Sequence, residues 1–340
     1  MSLKAEELPV EIWLNVLSYF EGHDLVRSFS CLNSFFNRLL HSSYLKLHMR
    51  IRVNESNRKL PDSPWSHINV ENIYSLAVGR RKANCLLRFL RWHAPSLKNL
   101  SFLSVYIRKS SDYQNIELLL SALSKLPFLN QLRIKYVTQL DPTNDYIMKL
   151  LENIFQDKFP IEKYSLTING LQKRRIKTNR WSINPMIKSL YISEIYMNNC
   201  LSILSCTPQI QSLKTNLMFS SDPVEPISLV LNHLRKVHLH ILCNQFIELL
   251  AFKTLAPNLE SLSIDGYLSN RDENYFHEHM WNQLFTNLKH VQVNLQHSPT
   301  SSSVKTTLRD YIAKLYDKPW FSHYENEDFL IVFIKFKLVN

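Results

Sequence analysis

The chain has 340 residues, 45% of them apolar and 20% charged, a composition that buries sizeable cores and, at ~150 residues per domain, suggests about two domains. Its 4 glycines, Gly22, Gly79, Gly170 and Gly266, lie far apart. Walker-type and Rossmann-type nucleotide sites are thereby excluded, because both need clustered glycines to bring backbone N–H groups onto a phosphate. The 40 Lys/Arg against 29 Asp/Glu leave a net charge of +11, which suits nucleic acid, an acidic protein or acidic lipid as partner.

In chain order, Met1 to Glu7 lack the apolar core of a signal peptide. The 5 cysteines, Cys31, Cys85, Cys200, Cys206 and Cys243, include no C-x-x-C pair. Both features lead us to expect a reducing compartment, cytoplasmic and/or nuclear, with unpaired thiols. No apolar run reaches the ~18 residues of a membrane span, so no membrane partner is expected.

Residues 6 to about 48 read as three short helices. Pro9 suits a first helical turn and Glu11 the positive end of its dipole. Ile12, Val16 and Phe20 share one face, with Trp13 and Leu17 beside them. Gly22 is expected to end this helix, Asp24 to cap a second over Leu25–Leu32, and Asn33 or Ser34 to cap a third carrying Phe35, Phe36, Leu39 and Leu40. So small a bundle has more apolar surface than it can bury alone. It therefore packs on the rest of the chain or docks another protein.

The series Leu8-Pro9-Val10-Glu11-Ile12, then Val16-Leu17, Phe20 and Asp24-Leu25, resembles the F-box motif. Leu8, Pro9, Glu11, Ile12, Leu17, Asp24 and Leu25 match outright, while Val16 and Phe20 are apolar substitutions. Two departures fall later: the usual V-C pair lands on Cys31-Leu32, and the closing aromatic on Phe35 or Phe36. The resemblance implies an F-box over 1–53 that binds the Skp-type adaptor of a cullin–RING ubiquitin ligase through Leu8, Pro9, Ile12, Val16, Leu17 and Phe20. Residues 54–67 are polar, hold Pro61 and Pro64, and read as a linker.

From 68 to 340 the pattern apolar-x-x-apolar-x-apolar recurs, often with proline two residues ahead. Copies begin at Ile73, Leu97, Leu129, Ile161, Ile187, Ile210, Leu234, Leu259 and Leu288, a mean period of about 27 residues with steps from 23 to 32. Helical spacings fall between copies, as at Leu150/Leu151/Ile154/Phe155 and at Phe246/Ile247/Leu250/Phe252. A short strand followed by a helix at this period resembles the leucine-rich repeat. The expected fold class is therefore α/β: a three-helix F-box followed by a curved, leucine-rich-repeat-like solenoid with a parallel sheet. The apolar run Phe329 to Val339 reads as a terminal strand.

Candidate chemistry is sparse. No G-x-S-x-G elbow occurs. His277-Glu278-His279 lacks the i, i+4 spacing of a zinc pair, and Cys200 and Cys206 read as buried thiols. Lys173, Arg174, Arg175, Lys177 and Arg180 read as a solvated loop. No enzyme activity, metal or cofactor is expected. Strand residues between the core positions face outward. They include Arg133, Lys135, Lys163, Tyr191, Lys214, Lys236 and His238, with His240 and His290, against Asp265. This basic excess points to an unknown protein substrate that is acidic or phosphorylated. A basic nucleic-acid-binding repeat protein is the alternative; it lacks evident stacking platforms and base-reading pairs.

Overall fold

A computed structural model describes residues 7–30, 32–51, 68–78, 83–107, 113–136, 145–155, 159–168, 176, 181–219, 229–268, 272–297, 321–325 and 330–339. The expected linker at 54–67, Cys31 and the basic cluster from Lys173 to Arg180 lie outside these residues. The fold is α/β and divides into two compact units, Met1–Leu166 and Thr167–Asn340. The helical N-terminus thus belongs to the same unit as the first strands.

Unit one opens with α1 (Val10–Ser18), α2 (Gly22–Phe29) and α3 (Ser34–His41). Pro9 is the N-cap of α1, its carbonyl accepting from the N–H groups of Ile12 and Trp13 at 3.1 and 3.3 Å. Asn33 caps α3 as expected, its side chain accepting from the Phe36 N–H at 3.0 Å. The second helix begins earlier than the sequence suggested. Gly22 is its first residue, and a Cβ there would meet Met49 Sδ at 1.9 Å. Gly22 thus opens α2 and leaves room for the Met49 side chain of a distant strand, instead of ending α1. Trp13, Phe29 and Phe36 form the bundle's aromatic centre, with Trp13–Phe36 ring centroids 5.0 Å apart at 89°.

The strands follow: β1 (Leu47–Ile51), β2 (Ile73–Val78), β3 (Phe102–Ile107), β4 (Gln131–Tyr136) and β5 (Lys163–Ile168). β1 to β4 pair in sequence order, all parallel. The connections carry α4 (Ala83–His93), α5 (Tyr113–Leu123) and α6 (Asp145–Phe155), packed side by side. Such crossovers are what parallel pairing demands. β1 was not expected, although Leu45, Leu47 and Met49 alternate with polar residues and are all buried.

Unit two contains β6 (Ser189–Tyr196), β7 (Ser212–Met218), β8 (Lys236–Leu242), β9 (Ser261–Tyr267) and β10 (His290–His297). These too pair in order and in parallel. Their described helices are α7 (Met197–Ser205), α8 (Phe246–Leu255) and α9 (Glu278–Phe285). On α8, Phe246, Leu250 and Phe252 are buried, whereas Ile247 projects into solvent. The unit ends antiparallel: the expected terminal strand, β12 (Leu330–Val339), runs against β10 and also pairs with β11 (Phe321–Glu325).

A recurrent turn sets the register of the units. The first core position of a unit donates its N–H to the carbonyl three residues earlier: Leu129 to Leu126, Ile210 to Thr207, Leu234 to Leu231, Leu259 to Ala256 and Leu288 to Phe285. Pro127, Pro208 and Pro257 occupy the second turn position, where a fixed φ near −65° helps. The same turn joins Leu100 to Leu97. The second copy of the pattern therefore starts at Leu100, not Leu97, and its core residues are Leu100, Leu103 and Val105, with Leu103 paired to Leu132. Pro95 misdirects the sequence reading because it sits in a separate 3-10 turn, Ala94–Ser96. At six junctions among the described residues one carbonyl accepts two successive N–H groups of the next strand segment; Asn130 O, for example, receives Glu162 and Lys163 at 3.1 and 3.0 Å.

Candidate functional site

The expected docking residues divide on α1. Leu17 is fully buried and packs inside the bundle, which removes it from the surface set. Leu8, Ile12, Val16 and Phe20 are 37%, 47%, 41% and 41% exposed, and Pro9 is exposed as well. Val10 and Tyr19 join them as exposed apolar residues that the motif did not single out, although Val10 stands inside it. The division follows from helical geometry. Trp13 and Leu17, four apart, share the inward face, and Ile12 and Val16 share the next stripe round the helix. A contiguous apolar strip on a short helix is thus left uncovered by unit one.

In the same unit, Arg133 and Lys163 are exposed and Lys135 is half-buried, on strand positions opposite the helices. The corrected register adds Phe102, Ser104 and Tyr106 to this face, with Ser104 beside Arg133 and Tyr106 beside Lys135. The Arg133 guanidinium lies over the Phe102 ring, 5.8 Å from its centroid. Phe102 and Tyr106 were missed because the first core position had been placed three residues too early.

In unit two, Tyr191, Lys214, His238 and Ser263 are aligned across β6 to β9, with Lys236 two residues before His238. Lys214 Nζ lies 5.9 Å from the centroid of the Tyr191 ring. Asp265 is clasped by two imidazoles, His238 Nε2 at 3.2 Å and His240 Nδ1 at 2.7 Å. Burial lowers the pKa of His238, Asp265 opposes that shift, and Lys214 and His240 add to it. This face is mixed in sign, since Glu194 also faces outward where β6 bulges.

At the helix end of β8, Asn244 is fully buried and joins three segments. Its side chain accepts from Leu242 N–H at 3.1 Å and donates to Met218 O at 3.2 Å and to Glu248 Oε2 at 2.7 Å. Glu248 completes a capping box with Gln245, and burial raises its pKa against the lowering effect of the Asn244 bond. This hub positions α8 and presents nothing to solvent. Gly266, at φ 126°, brings β9 so close to β8 that a Cβ would lie 2.1 Å from Ile241 O. Cys200 and Cys206 are buried, and burial pushes the Cys200 thiol up to about 12. Among the described residues, no three His, Cys, Asp or Glu side chains converge on a metal position, and no helix is long and apolar enough to cross a membrane. Comparison with protein-family models gives no match, and comparison with curated proteins gives none either.

Proposed function

We propose that this chain is the substrate-recognition subunit of a Skp–cullin–F-box ubiquitin ligase. In this reading the N-terminal helices are an F-box whose exposed strip, Leu8, Pro9, Ile12, Val16 and Phe20, docks a Skp-type adaptor. The strand-and-helix units are leucine-rich-repeat-like, stack as a curved solenoid, and hold a protein substrate on their outward strand face. The chain performs no catalysis of its own. It acts by proximity, raising the effective concentration of substrate lysines near a charged conjugating enzyme carried by partner subunits. Such a complex works in the cytoplasm and/or nucleus.

One observation carries the reading: of the motif residues along the first helix, unit one leaves Leu8, Pro9, Ile12, Val16 and Phe20 uncovered, while the motif residue Leu17 joins Trp13 in the bundle core. The test is a titration of purified Skp-type adaptor against the full chain, with the full-length Leu8→Ala/Ile12→Ala/Val16→Ala variant, shown folded by its melting curve, as control. Saturable binding that the triple variant weakens supports the reading. Absence of binding to the folded full chain overturns it.

A further inference from the structure

Strands β1 to β5 contain no aspartate or glutamate. Their outward positions carry Lys46 just ahead of β1, then His48, Arg133, Lys135 and Lys163, interleaved with Phe102 and Tyr106. Within the strands the face is thus basic, with Glu71 and Glu162 standing only at the turns ahead of β2 and β5, unlike that of unit two, where Glu194 and Asp265 stand on the strands themselves. At the N-terminal ends of β1 to β3 the same unit holds an open cavity of about 390 Å³. Tyr44, Lys46, Tyr74, Asn99, Ser101 and Phe128 are among its walls. That volume falls in the ~300–1,000 Å³ range of ligand pockets and admits one bulky side chain. Tyr44 and Phe128 are strongly exposed.

Two rings of this face, Phe102 and Tyr74, are already engaged by cations. Arg133 covers Phe102, and Lys46 Nζ lies 5.4 Å from the centroid of Tyr74, whose edge also meets His48 at 5.8 Å. These two aromatics therefore hold cations in place for an anionic ligand, and the exposed rings, Tyr44 and Phe128, stand at the cavity instead of along the basic strand positions. Arg133 and Lys135 are two residues apart on one strand, about 7 Å at ~3.3 Å per residue, which is the spacing of alternate side chains on an extended peptide. From this pair to the cavity is two or three strand spacings across and about four residues along, roughly 18 Å, or five to six extended residues.

We infer that unit one binds an extended, unphosphorylated acidic peptide, its alternate carboxylates on Arg133, Lys135 and Lys163 and a bulky apolar side chain five or six residues away in the Tyr44/Tyr74/Phe128 cavity. This names the substrate class of the strand face in the function proposed above and rests on that reading. Carboxylates are favoured over phosphate because Arg133 is engaged with Phe102, and Lys135 and Lys163 offer ammonium groups as point charges instead of a free bidentate fork.

The probe is an array of random peptides of about 15 residues, long enough for an extended strand-like segment, read with the full chain. Bound peptides should be enriched in Asp or Glu, with a bulky apolar residue five or six positions away. The strongest peptide, resynthesised for solution binding, should lose at least ~30-fold in affinity to a chain carrying Arg133→Glu and Lys135→Glu. Phe128→Ser, at an exposed position, should cost about tenfold for that peptide and nothing for its anchorless version. Melting curves of both variants check the fold. The inference is overturned by arrays lacking acidic enrichment, by enrichment unchanged in the double variant, by preference for phosphoserine over glutamate, or by tighter binding of oligouridine lost in the same variant. Adaptor titration on the same preparations separates the two readings: adaptor binding without acidic selection sinks only the peptide inference, and the reverse sinks only the adaptor role.

Discussion

Replacing Leu8, Ile12 and Val16 together with alanine isolates the exposed strip of α1. Fully burying an aliphatic side chain contributes roughly 1.5–3 kcal/mol. These three are 37%, 47% and 41% exposed, so a partner that covers them recovers a little under half of that value at each. The sum, about 2–4 kcal/mol, corresponds to a loss of ~30- to 1,000-fold in adaptor affinity. The complementary substitution is Leu17→Ala. This side chain is fully buried, and its truncation leaves a cavity costing about 2–5 kcal/mol of unit-one stability. The assay is calorimetric titration of the purified adaptor, with denaturant unfolding of each variant in parallel. The triple variant should stay folded and bind weakly, whereas Leu17→Ala should lose stability first. A folded triple variant that binds the adaptor as tightly as the wild type refutes the assignment of this surface.

Leu103→Ala should cost about 2–5 kcal/mol and Phe102→Ala roughly 1 kcal/mol or less, because Leu103 is buried and Phe102 half-exposed on the outward face; the opposite order in urea unfolding would restore the earlier register. Asn33→Ala removes the cap on the Phe36 N–H and should destabilise unit one by ~1 kcal/mol; an unchanged unfolding midpoint would show that the cap contributes nothing. Glu248 has a folded-state pKa raised above its ordinary 4.5 by burial. It holds its proton more tightly when folded, so its favourable contribution is present below pH 4.5 and is lost as pH rises through the raised value. Glu248→Gln keeps an acceptor for Asn244 and the capping box, so its melting temperature relative to wild type should rise across that window; pH profiles that stay parallel would exclude this linkage. The acidic-peptide selection of unit one, with its Arg133/Lys135 reversal, stands as the test of the outward face.

Local pattern was enough to locate most elements. Period-two alternation places β4, β7, β8 and β9, because a strand has one buried face, and Pro127, Pro208 and Pro257 announce the turns ahead of β4, β7 and β9, because proline fixes φ locally. The apolar series from Leu8 to Phe20 likewise marks a helix with more greasy surface than a small bundle can cover. What the sequence left open is where each apolar residue goes. Leu17 and Val16 are adjacent and similar in chemistry, yet one is buried and one exposed, since only the packing of Trp13 against Phe29 and Phe36 fixes the rotation of α1. Gly22 reads as a helix terminator until Met49 is seen filling the space of its missing Cβ. Pro95 imitates a repeat turn until the hydrogen bond from Leu100 to Leu97 sets the register. Composition makes the whole chain basic, but only strand pairing sorts the charges, leaving the strands of unit one's outward face without carboxylates and drawing His238 and His240 around Asp265 in unit two. Periodicity is a property of neighbours along the chain, and charge partnership and burial are properties of neighbours across it. The latter exist only once the strands have paired.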